Sequence, residues 1–181
     1  MKLYLVRHGQ DTLNKRGGWS EEPLIAEGVE QVRNLSKTLD NIHFDAVISS
    51  DLTRTRQTTE ILRYELSLKE VIFDSRLREV NNGILAGLDN EIALSQFPGL
   101  FWNSLSWDEA YPRGESPKAF FERIKSWYED FKGDYHKNDT VLIISHQGVI
   151  DALLCIIHNK PFTNKKSHYK IKTGQMIIVE S

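Results

Sequence analysis

Short runs of apolar residues alternate with longer amphipathic stretches along most of this chain. Residues 3–6 and 141–144 are apolar at every position, which is typical of strands buried on both faces. The longer stretches carry apolar residues at helical spacing, as at Val32, Leu35 and Leu39. Strands are predicted at 2–6, 46–49, 71–73, 140–144, 169–171 and 176–179, and helices at 26–39, 53–64, 90–97, 117–131 and 149–158.

The alternation of strand and helix predicts a three-layer α/β fold, in which a mostly parallel central sheet carries helices on both faces. Residues 1–181 are expected to form a single domain, because no linker, repeat or low-complexity segment divides them. The helix predicted at 117 begins with proline, which the first helical turn allows, and Glu115 and Ser116 are expected to cap it.

The polar residues that follow the predicted strands indicate where a ligand would bind. The first strand runs into Arg7 and His8, and the fourth is followed by His146. Ligands of open α/β sheets lie at the carboxyl ends of the strands, so the two histidines would face each other if their strands are neighbours. Arg54 lies near a predicted helix start, where backbone N–H groups favour an anion. Asn14 is close enough to His8 to fold back as a neutral donor.

These side chains suggest an anion held against an imidazole, and a phosphate ester is one anion that they would fit. A phosphomonoester carries about −1.5 to −2 charges near neutral pH, and the forked donors of arginine match its oxygens. Arg7 and Arg54 are therefore predicted to bind phosphate. The same two charges disfavour the protonated form of His8, which leaves its imidazole able to attack phosphorus. On these residues alone, a surface turn that happens to contain Arg and His is the alternative.

Six segments of the chain together resemble branch 1 of the histidine phosphatase superfamily, which has the phosphoglycerate-mutase-like fold. They occur in the family's order and cover almost the whole chain. The segments are Leu5-Val6-Arg7-His8-Gly9-Gln10 with Asn14, Pro23-Leu24 with Gly28 and Gln31, Ser50-Asp51-Leu52-Thr53-Arg54 with Gln57-Thr58, Leu77-Arg78-Glu79 with Gly83 and Gly87, Pro112-Arg113-Gly114-Glu115-Ser116, and Ser145-His146-Gln147-Gly148-Val149-Ile150.

Three positions depart from the family's usual pattern. Asp11 stands where relatives commonly have Thr, and we expect it to be an exposed loop residue. The sequence Leu-Ala-Gly at 85–87 replaces Trp-Glu-Gly, which changes packing beside the site. Ser50 and Asp51 replace Ser-Pro, and this pair is expected to cap the following helix. None of these changes removes a residue that the resemblance implicates in catalysis.

The resemblance implies a reaction through a phosphohistidine. His8 would take the phosphoryl group while the ester oxygen leaves, and water would then release phosphate. His146 would be a second donor to the transferring group. Glu79 would protonate the leaving oxygen and then activate the water. Without the resemblance, Glu79 would be interpreted as a solvated carboxylate paired with Arg78.

An aromatic segment at 88–116 is the expected lid of the site. Trp102 and Trp107 lie where relatives place the residues that contact the leaving group, although a hydrophobic cluster beneath a long loop is an equal alternative. Residues 88–112 include four carboxylates and no Lys or Arg, and Arg113 is the nearest base.

This acidic lid favours a phosphatase, because a phosphoglycerate mutase must hold the carboxylate of a sugar acid. The prediction is a metal-independent phosphomonoester hydrolase that acts on a small phosphorylated metabolite. A cofactor-dependent phosphoglycerate mutase is the alternative, and a non-catalytic phosphate-binding or partner-binding module is a third. The sequence leaves the individual metabolite open.

The composition of the chain argues against several classes of binding partner. A net charge of −2 and a pI near 6.3 argue against nucleic-acid and membrane partners. No apolar stretch approaches the roughly 20 residues of a spanning helix, no signal peptide is evident, and Cys155 is the single cysteine, so a cytoplasmic location is expected. The spacing of His, Cys and carboxylates indicates no metal site, no cofactor is expected, and both a monomer and a homodimer fit.

Overall fold

A five-stranded sheet forms the centre of the protein in a computed structural model that describes residues 1–181. The strands are β1 (Lys2–Arg7), β2 (Ala46–Ser49), β3 (Ile72–Phe73), β4 (Thr140–Ser145) and β5 (Met176–Glu180). Their spatial order is β3-β2-β4-β1-β5. The first four strands are parallel and β5 runs antiparallel to β1, which confirms the predicted mostly parallel sheet.

Helices cover both faces of this sheet. Successive β1 side chains point to opposite faces: Leu3 and Leu5 join a core cluster with residues of the later helices, whereas Tyr4 and Val6 join a second cluster with residues of the first two. Burial on both faces explains why β1 is apolar throughout, and the predicted three-layer fold is confirmed. The helices are α1 (Ala26–Leu39), α2 (Thr53–Leu66), α3 (Asn90–Gln96), α4 (Pro117–Asp134) and α5 (Gln147–Ile157).

The prediction of a strand at 169–171 is wrong. That segment is irregular, because side chains of α5 replace strand partners for its backbone. Asp151 accepts a hydrogen bond from the Tyr169 N–H at 2.8 Å, and the Gln147 amide oxygen accepts one from the Ile171 N–H at 2.9 Å. A short apolar run next to a strand cannot be distinguished from such a loop by its pattern alone.

Of the residues predicted to cap helices, only Ser116 does so, because Glu115 pairs with Arg123 instead. The Ser116 hydroxyl accepts a hydrogen bond from the Ala119 N–H at 3.1 Å at the start of α4, as expected. The prediction for Ser50 and Asp51 is wrong, since Leu52 occupies the cap position of α2 and makes no side-chain cap. Ser50 instead contacts His146, and Asp51 pairs with Arg78.

The segment at 88–116 packs beside the sheet through a third, smaller cluster. Its buried members are Leu85, Ala93, Leu105 and Tyr111, and Trp102 packs against both this cluster and the larger core. No helix of the protein combines the length and the apolar character that crossing a membrane requires.

Candidate active site

The carboxyl ends of β1 and β4 bring two histidines together. The strands are parallel neighbours, with Arg7 in register with Ser145. His8 and His146 follow these positions directly, and their ring centroids lie 5.1 Å apart with a 57° angle between the planes. Both rings are buried, at 5% and 0% exposure. The structure therefore contains the facing pair that the strand ends predict.

A hydrogen bond fixes the tautomer of His8. Its Nδ1 lies 2.7 Å from the carbonyl oxygen of Gly9. A carbonyl oxygen can only accept, so Nδ1 carries the proton and donates it. In the neutral ring this leaves the lone pair on Nε2, which is the atom that a nucleophilic imidazole needs.

Close packing fixes the loop that carries His8. A Cβ atom on Gly9 would lie 2.4 Å from the carbonyl oxygen of Gly28, so only glycine lets this loop lie against the start of α1. The Gly9 N–H donates to the Thr58 hydroxyl at 3.1 Å, which ties the loop to α2 as well. The position of His8 is thus set by two helices.

His146 is oriented by Ser50. The Ser50 hydroxyl lies 2.9 Å from His146 Nε2, whereas Nδ1 is buried and has no hydrogen-bond partner within the protein. When the hydroxyl donates to Nε2, the ring proton lies on Nδ1 and is available to an oxygen of a bound ligand. This arrangement fits the predicted role of His146 as a donor to a transferring phosphoryl group.

Both histidines are neutral near pH 7. Burial lowers the pKa of His8 and of His146 well below the ordinary value of 6.5, and the charge of Arg54 adds to the effect at each. The hydrogen bond to Gly9 acts to raise the pKa of His8, whereas the charge of Arg7 lowers it further. The Nε2 lone pair of His8 is therefore unprotonated at physiological pH.

Arg54 and Arg7 provide fixed positive charge at the same place. Arg54 is 2% exposed and donates to the carbonyl oxygens of Ser20 and Gly18 at 2.9 and 2.7 Å. Arg7 donates to the carbonyl oxygen of Ile171 at 2.8 Å, and its Nε is buried without a partner. Burial lowers the pKa of both guanidinium groups, but arginine remains charged.

Asp11 is not the exposed loop residue that was expected. Its side chain is 16% exposed, and Oδ2 lies 3.6 Å from Arg54 Nε. Burial raises the pKa of Asp11, although the positive charges of Arg54 and Arg7 act to lower it. The expectation failed because the loop after His8 turns inward and pairs Asp11 with Leu24.

Glu79 lies at the edge of the histidine pair. Its Oε2 accepts a hydrogen bond from the Gly148 N–H at 3.2 Å, and its Oε1 accepts one from the Val80 N–H at 3.2 Å. The alternative pairing of Glu79 with Arg78 is wrong, because Arg78 forms a bidentate pair with Asp51 at 2.6 and 2.7 Å. The Glu79 carboxylate lies near Arg7 and Arg54, where its charge acts against the lowering of their pKa values.

Arg123 of α4 holds the segment that carries Glu79. Its guanidinium pairs with the Glu115 carboxylate, at 2.7 Å through Nε and 2.8 Å through Nη2. The same group donates to three carbonyl oxygens of one segment, those of Arg76, Arg78 and Glu79, at 2.6, 2.9 and 3.1 Å. Five donors in a rigid fork thus fix the backbone from which Glu79 projects.

Three predicted residues do not join the histidine pair. Asn14 is exposed, and its side chain makes one hydrogen bond, from the Thr12 hydroxyl at 2.5 Å. Arg113 is exposed in a left-handed backbone conformation, with φ 59°. Trp107 packs in an aromatic group, with its ring 6.4 Å from that of Phe162. Their roles remain predictions.

Trp102 does reach the site. It stacks on Tyr111 with centroids 6.4 Å apart and meets Phe120 edge-on at 5.5 Å. Together with Glu79 and Gly148 it lines a cavity of about 240 Å³. Trp102 therefore belongs both to the predicted lid and to the hydrophobic cluster that was its alternative.

Two of the four carboxylates of the lid have partners of their own. Asp108 pairs with Lys118 at 3.0 Å, and Glu109 accepts a hydrogen bond from the Ser106 N–H at 2.8 Å. A second cavity, of about 550 Å³, also contacts Trp102, and no carboxylate lines it. Bases from outside the lid line this cavity, namely Arg16, Lys165, Lys166 and Lys170.

Several of these contacts were not foreseen from the sequence. Ser50 was interpreted as a helix cap, although its place directly after a buried strand could have marked it as a site residue. Trp19, whose Nε1 donates to the Glu79 carbonyl oxygen at 2.7 Å, and Arg123 carry no signal in their spacing. No group of three or more His, Cys, Asp or Glu side chains is arranged so that it could hold a metal ion.

Comparison with known families gives one match that spans nearly the whole chain. The family model described as histidine phosphatase superfamily (branch 1) matches residues 3–181. A protein of Shigella dysenteriae serotype 1 (strain Sd197), named probable phosphoglycerate mutase GpmB, is 31% identical over 173 residues, which cover 89% of this chain and 76% of the relative.

Solved structures with the same fold include two phosphatases. The alpha-ribazole phosphatase of Shigella flexneri has a TM-score of 0.84 and 27% identity, and the match covers 98% of this chain and 89% of that one. The mycobacterial glucosyl-3-phosphoglycerate phosphatase has a TM-score of 0.75 and 26% identity, covering 88% of this chain and 80% of that one.

Proposed function

The chain belongs to branch 1 of the histidine phosphatase superfamily, and we propose that it hydrolyses small phosphomonoesters through a phosphohistidine on His8, without a metal ion. The observation that carries this proposal is the Nδ1 bond of His8 to Gly9 at 2.7 Å. That bond leaves the Nε2 lone pair free, in a buried site with two arginines and a second histidine.

In the first step, His8 Nε2 attacks phosphorus and the bond from phosphorus to the ester oxygen breaks. Arg7, Arg54 and His146 stabilise the negative charge on the transferring group. Glu79 in its protonated form gives its proton to the leaving oxygen. The products of this step are the free alcohol, a phosphoryl group on Nε2 and a Glu79 carboxylate.

In the second step, water attacks the phosphoryl group. The Glu79 carboxylate takes a proton from that water, the bond between phosphorus and Nε2 breaks, and inorganic phosphate leaves. His8 returns to its neutral form and Glu79 to its protonated form, so the cycle is balanced. Dividing one displacement into two easier ones is the usual gain of covalent catalysis.

A phosphoglycerate mutase is the second candidate, and two observations favour it. The Shigella dysenteriae relative carries that name, and the bases beside Trp102 could hold a sugar acid. The two phosphatase structures support hydrolysis as the main activity.

A phosphate-release assay over a panel of metabolite monoesters tests the proposal. We expect release of inorganic phosphate that survives dialysis against a chelator and is inhibited by vanadate, a mimic of five-coordinate phosphorus. The same enzyme is incubated with 3-phosphoglycerate and 2,3-bisphosphoglycerate. Efficient formation of 2-phosphoglycerate would favour the mutase, and activity that is lost with the chelator and restored by magnesium or zinc would contradict the proposed mechanism.

A further inference from the structure

The cavity of about 550 Å³ beside Trp102 is positively charged, although the protein as a whole has a net charge of −2. Four of its lining residues are bases and none is an acid. A cleft lined by one sign of charge focuses the electrostatic potential and attracts ligands of the opposite sign. The positive charge of this cavity therefore favours an anionic ligand.

Three of the four bases are free to bind a ligand. The ammonium group of Lys165 donates to the carbonyl oxygens of Asn103 and Leu105 at 3.1 and 2.5 Å, so it has a structural role. The exposed side chains of Lys166 and Lys170 make neither a hydrogen bond nor an ion pair in the protein. Neither ammonium group therefore has a close partner within the protein.

Arg16 is the third free base and the most deeply placed. Its Nε is buried and has no hydrogen-bond partner, and its guanidinium lies over the Phe101 ring, 4.7 Å from the centroid. Buried N–H donors are almost always paired in folded proteins, so an unpaired one indicates a group that pairs when a ligand is bound.

The cavity lies on the side of the site where the leaving group must be. It shares the lining residues Val80, Trp102, Asn164 and Ser167 with the smaller cavity that contains the Glu79 carboxylate. Gly18, whose carbonyl oxygen accepts a hydrogen bond from Arg54, also lines it. A phosphate held by Arg54, with its ester oxygen towards Glu79, would direct the rest of the substrate into this cavity.

We propose that Arg16, Lys166 and Lys170 bind a second anionic group on the alcohol part of the substrate. The substrate class is then a phosphomonoester whose leaving group carries a carboxylate or a second phosphate. This inference rests on the proposed hydrolysis at His8 and specifies what that site selects. The aromatic faces of Trp102 and Tyr111 form an apolar wall of the same cavity, against which the carbon skeleton packs.

Matched substrate pairs test the inference. 3-Phosphoglycerate and glycerol 3-phosphate differ in a carboxylate against a hydroxymethyl group, and fructose 1,6-bisphosphate and fructose 6-phosphate differ in a second phosphate. kcat/KM is measured for each, with p-nitrophenyl phosphate as a separate measure of phosphatase activity. We expect a preference of about tenfold or more for the anionic member of at least one pair, and the responsive pair identifies the anion.

The variant Lys166→Ala/Lys170→Ala should reduce that preference to about threefold or less, since two charge contacts are lost. Lys69→Ala/Lys125→Ala removes the same charge from exposed positions outside the cavity and should keep the full preference. The wild-type preference should also fall between about 0.1 and 1 M salt, as the Debye length shortens from about 10 to about 3 Å. This second measurement needs no variant.

Each remaining outcome contradicts a defined part of the account. Hydrolysis of p-nitrophenyl phosphate with no preference within either pair would overturn this inference and leave the proposed function standing. A preference that the lysine variant retains in full would overturn the assignment to this cavity. Absence of hydrolysis with every ester would overturn the proposed function, and this inference with it.

Discussion

The Glu79 carboxylate accepts a hydrogen bond from the backbone N–H of Gly148 at 3.2 Å, two residues beyond His146. A Cβ atom on residue 148 would lie 2.4 Å from Glu79 Oε1. Glycine at this position therefore makes the room in which the carboxylate lies. The strand end that supplies His146 thus also fixes the distance of Glu79 from the reacting group.

Replacing Gly148 with Ala should displace Glu79 and slow turnover of alkyl phosphates by about 10²-fold, the contribution of a well-placed general acid. Turnover of p-nitrophenyl phosphate should fall less, because its leaving group needs little protonation. The matched control is Gly133→Ala in α4, where an added Cβ meets nothing within 4 Å. Full activity of Gly148→Ala on alkyl phosphates would show that the contact does not position the acid.

Glu79→Gln tests the acid itself. The amide keeps the size of the side chain but cannot supply the proton to the leaving oxygen, so kcat/KM for alkyl phosphates, which reports the first step alone, should fall by about 10²- to 10⁴-fold. The loss with p-nitrophenyl phosphate should be much smaller. Steady-state kinetics on both substrates make the comparison, and an equal loss on the two would instead give Glu79 a role in folding or positioning.

The strand ends could be predicted from the sequence because their signals are local. The fully apolar runs of β1 and β4 mark strands buried on both faces, and parallel neighbours place His8 and His146 at one edge. The helix that follows each strand could be located in the same way. Short elements were predicted less well. The run at 169–171 has the composition of a strand, but its backbone N–H groups donate to side chains of α5.

The surroundings of the site depend on contacts between residues far apart in the sequence. Arg16, Lys166 and Lys170 reach one cavity from two ends of the chain, so the charge of this cavity could not be obtained by counting the charged residues of the lid. Ser50 and Asp51 have the composition of a helix cap, but His146 and Arg78 provide better-buried partners. Nothing in its own sequence neighbourhood distinguishes Arg123 from a surface base.

Arg123 is a positioning residue for Glu79, and Arg123→Lys tests this role. A lysine has one ammonium group and cannot donate to three carbonyl oxygens and Glu115 together. We expect kcat for alkyl phosphates to fall by about tenfold, within the range that general acid catalysis contributes, with little change in KM. The loss with p-nitrophenyl phosphate should be smaller.

Arg33→Lys, at an exposed position of α1, is the control for Arg123→Lys and should behave as the wild type. A purely structural role for Arg123 would lower the melting temperature and reduce activity equally on both substrates. That pattern would contradict the assignment.

Stability should depend on pH through the two buried histidines. Burial and the charge of Arg54 lower the pKa of His8 and His146 below 6.5, so as pH falls through 6.5 the unfolded chain binds protons that the folded chain does not. The free energy of unfolding should therefore decrease with falling pH, by up to about 1.4 kcal/mol per pH unit for each histidine.

Denaturant unfolding between pH 7.5 and 5.5 measures this slope. His8→Gln removes one of the two buried imidazoles and should reduce the slope by about half. His43→Gln, at an exposed position, is the control and should retain the wild-type slope. A wild-type stability that rises as pH falls through 6.5 would contradict the assignment of two neutral buried histidines.

Trapping the phosphoenzyme tests the central claim most directly. The enzyme is mixed briefly with a turned-over monoester, quenched in alkali, which preserves phosphohistidine, and digested for peptide mass spectrometry and ³¹P NMR. Because Nδ1 of His8 is bonded to Gly9, the phosphoryl group should be on Nε2 of His8, and His8→Ala should give neither the adduct nor turnover. A phosphoryl group on another residue or on Nδ1 of His8, or full turnover by His8→Ala, would contradict the account.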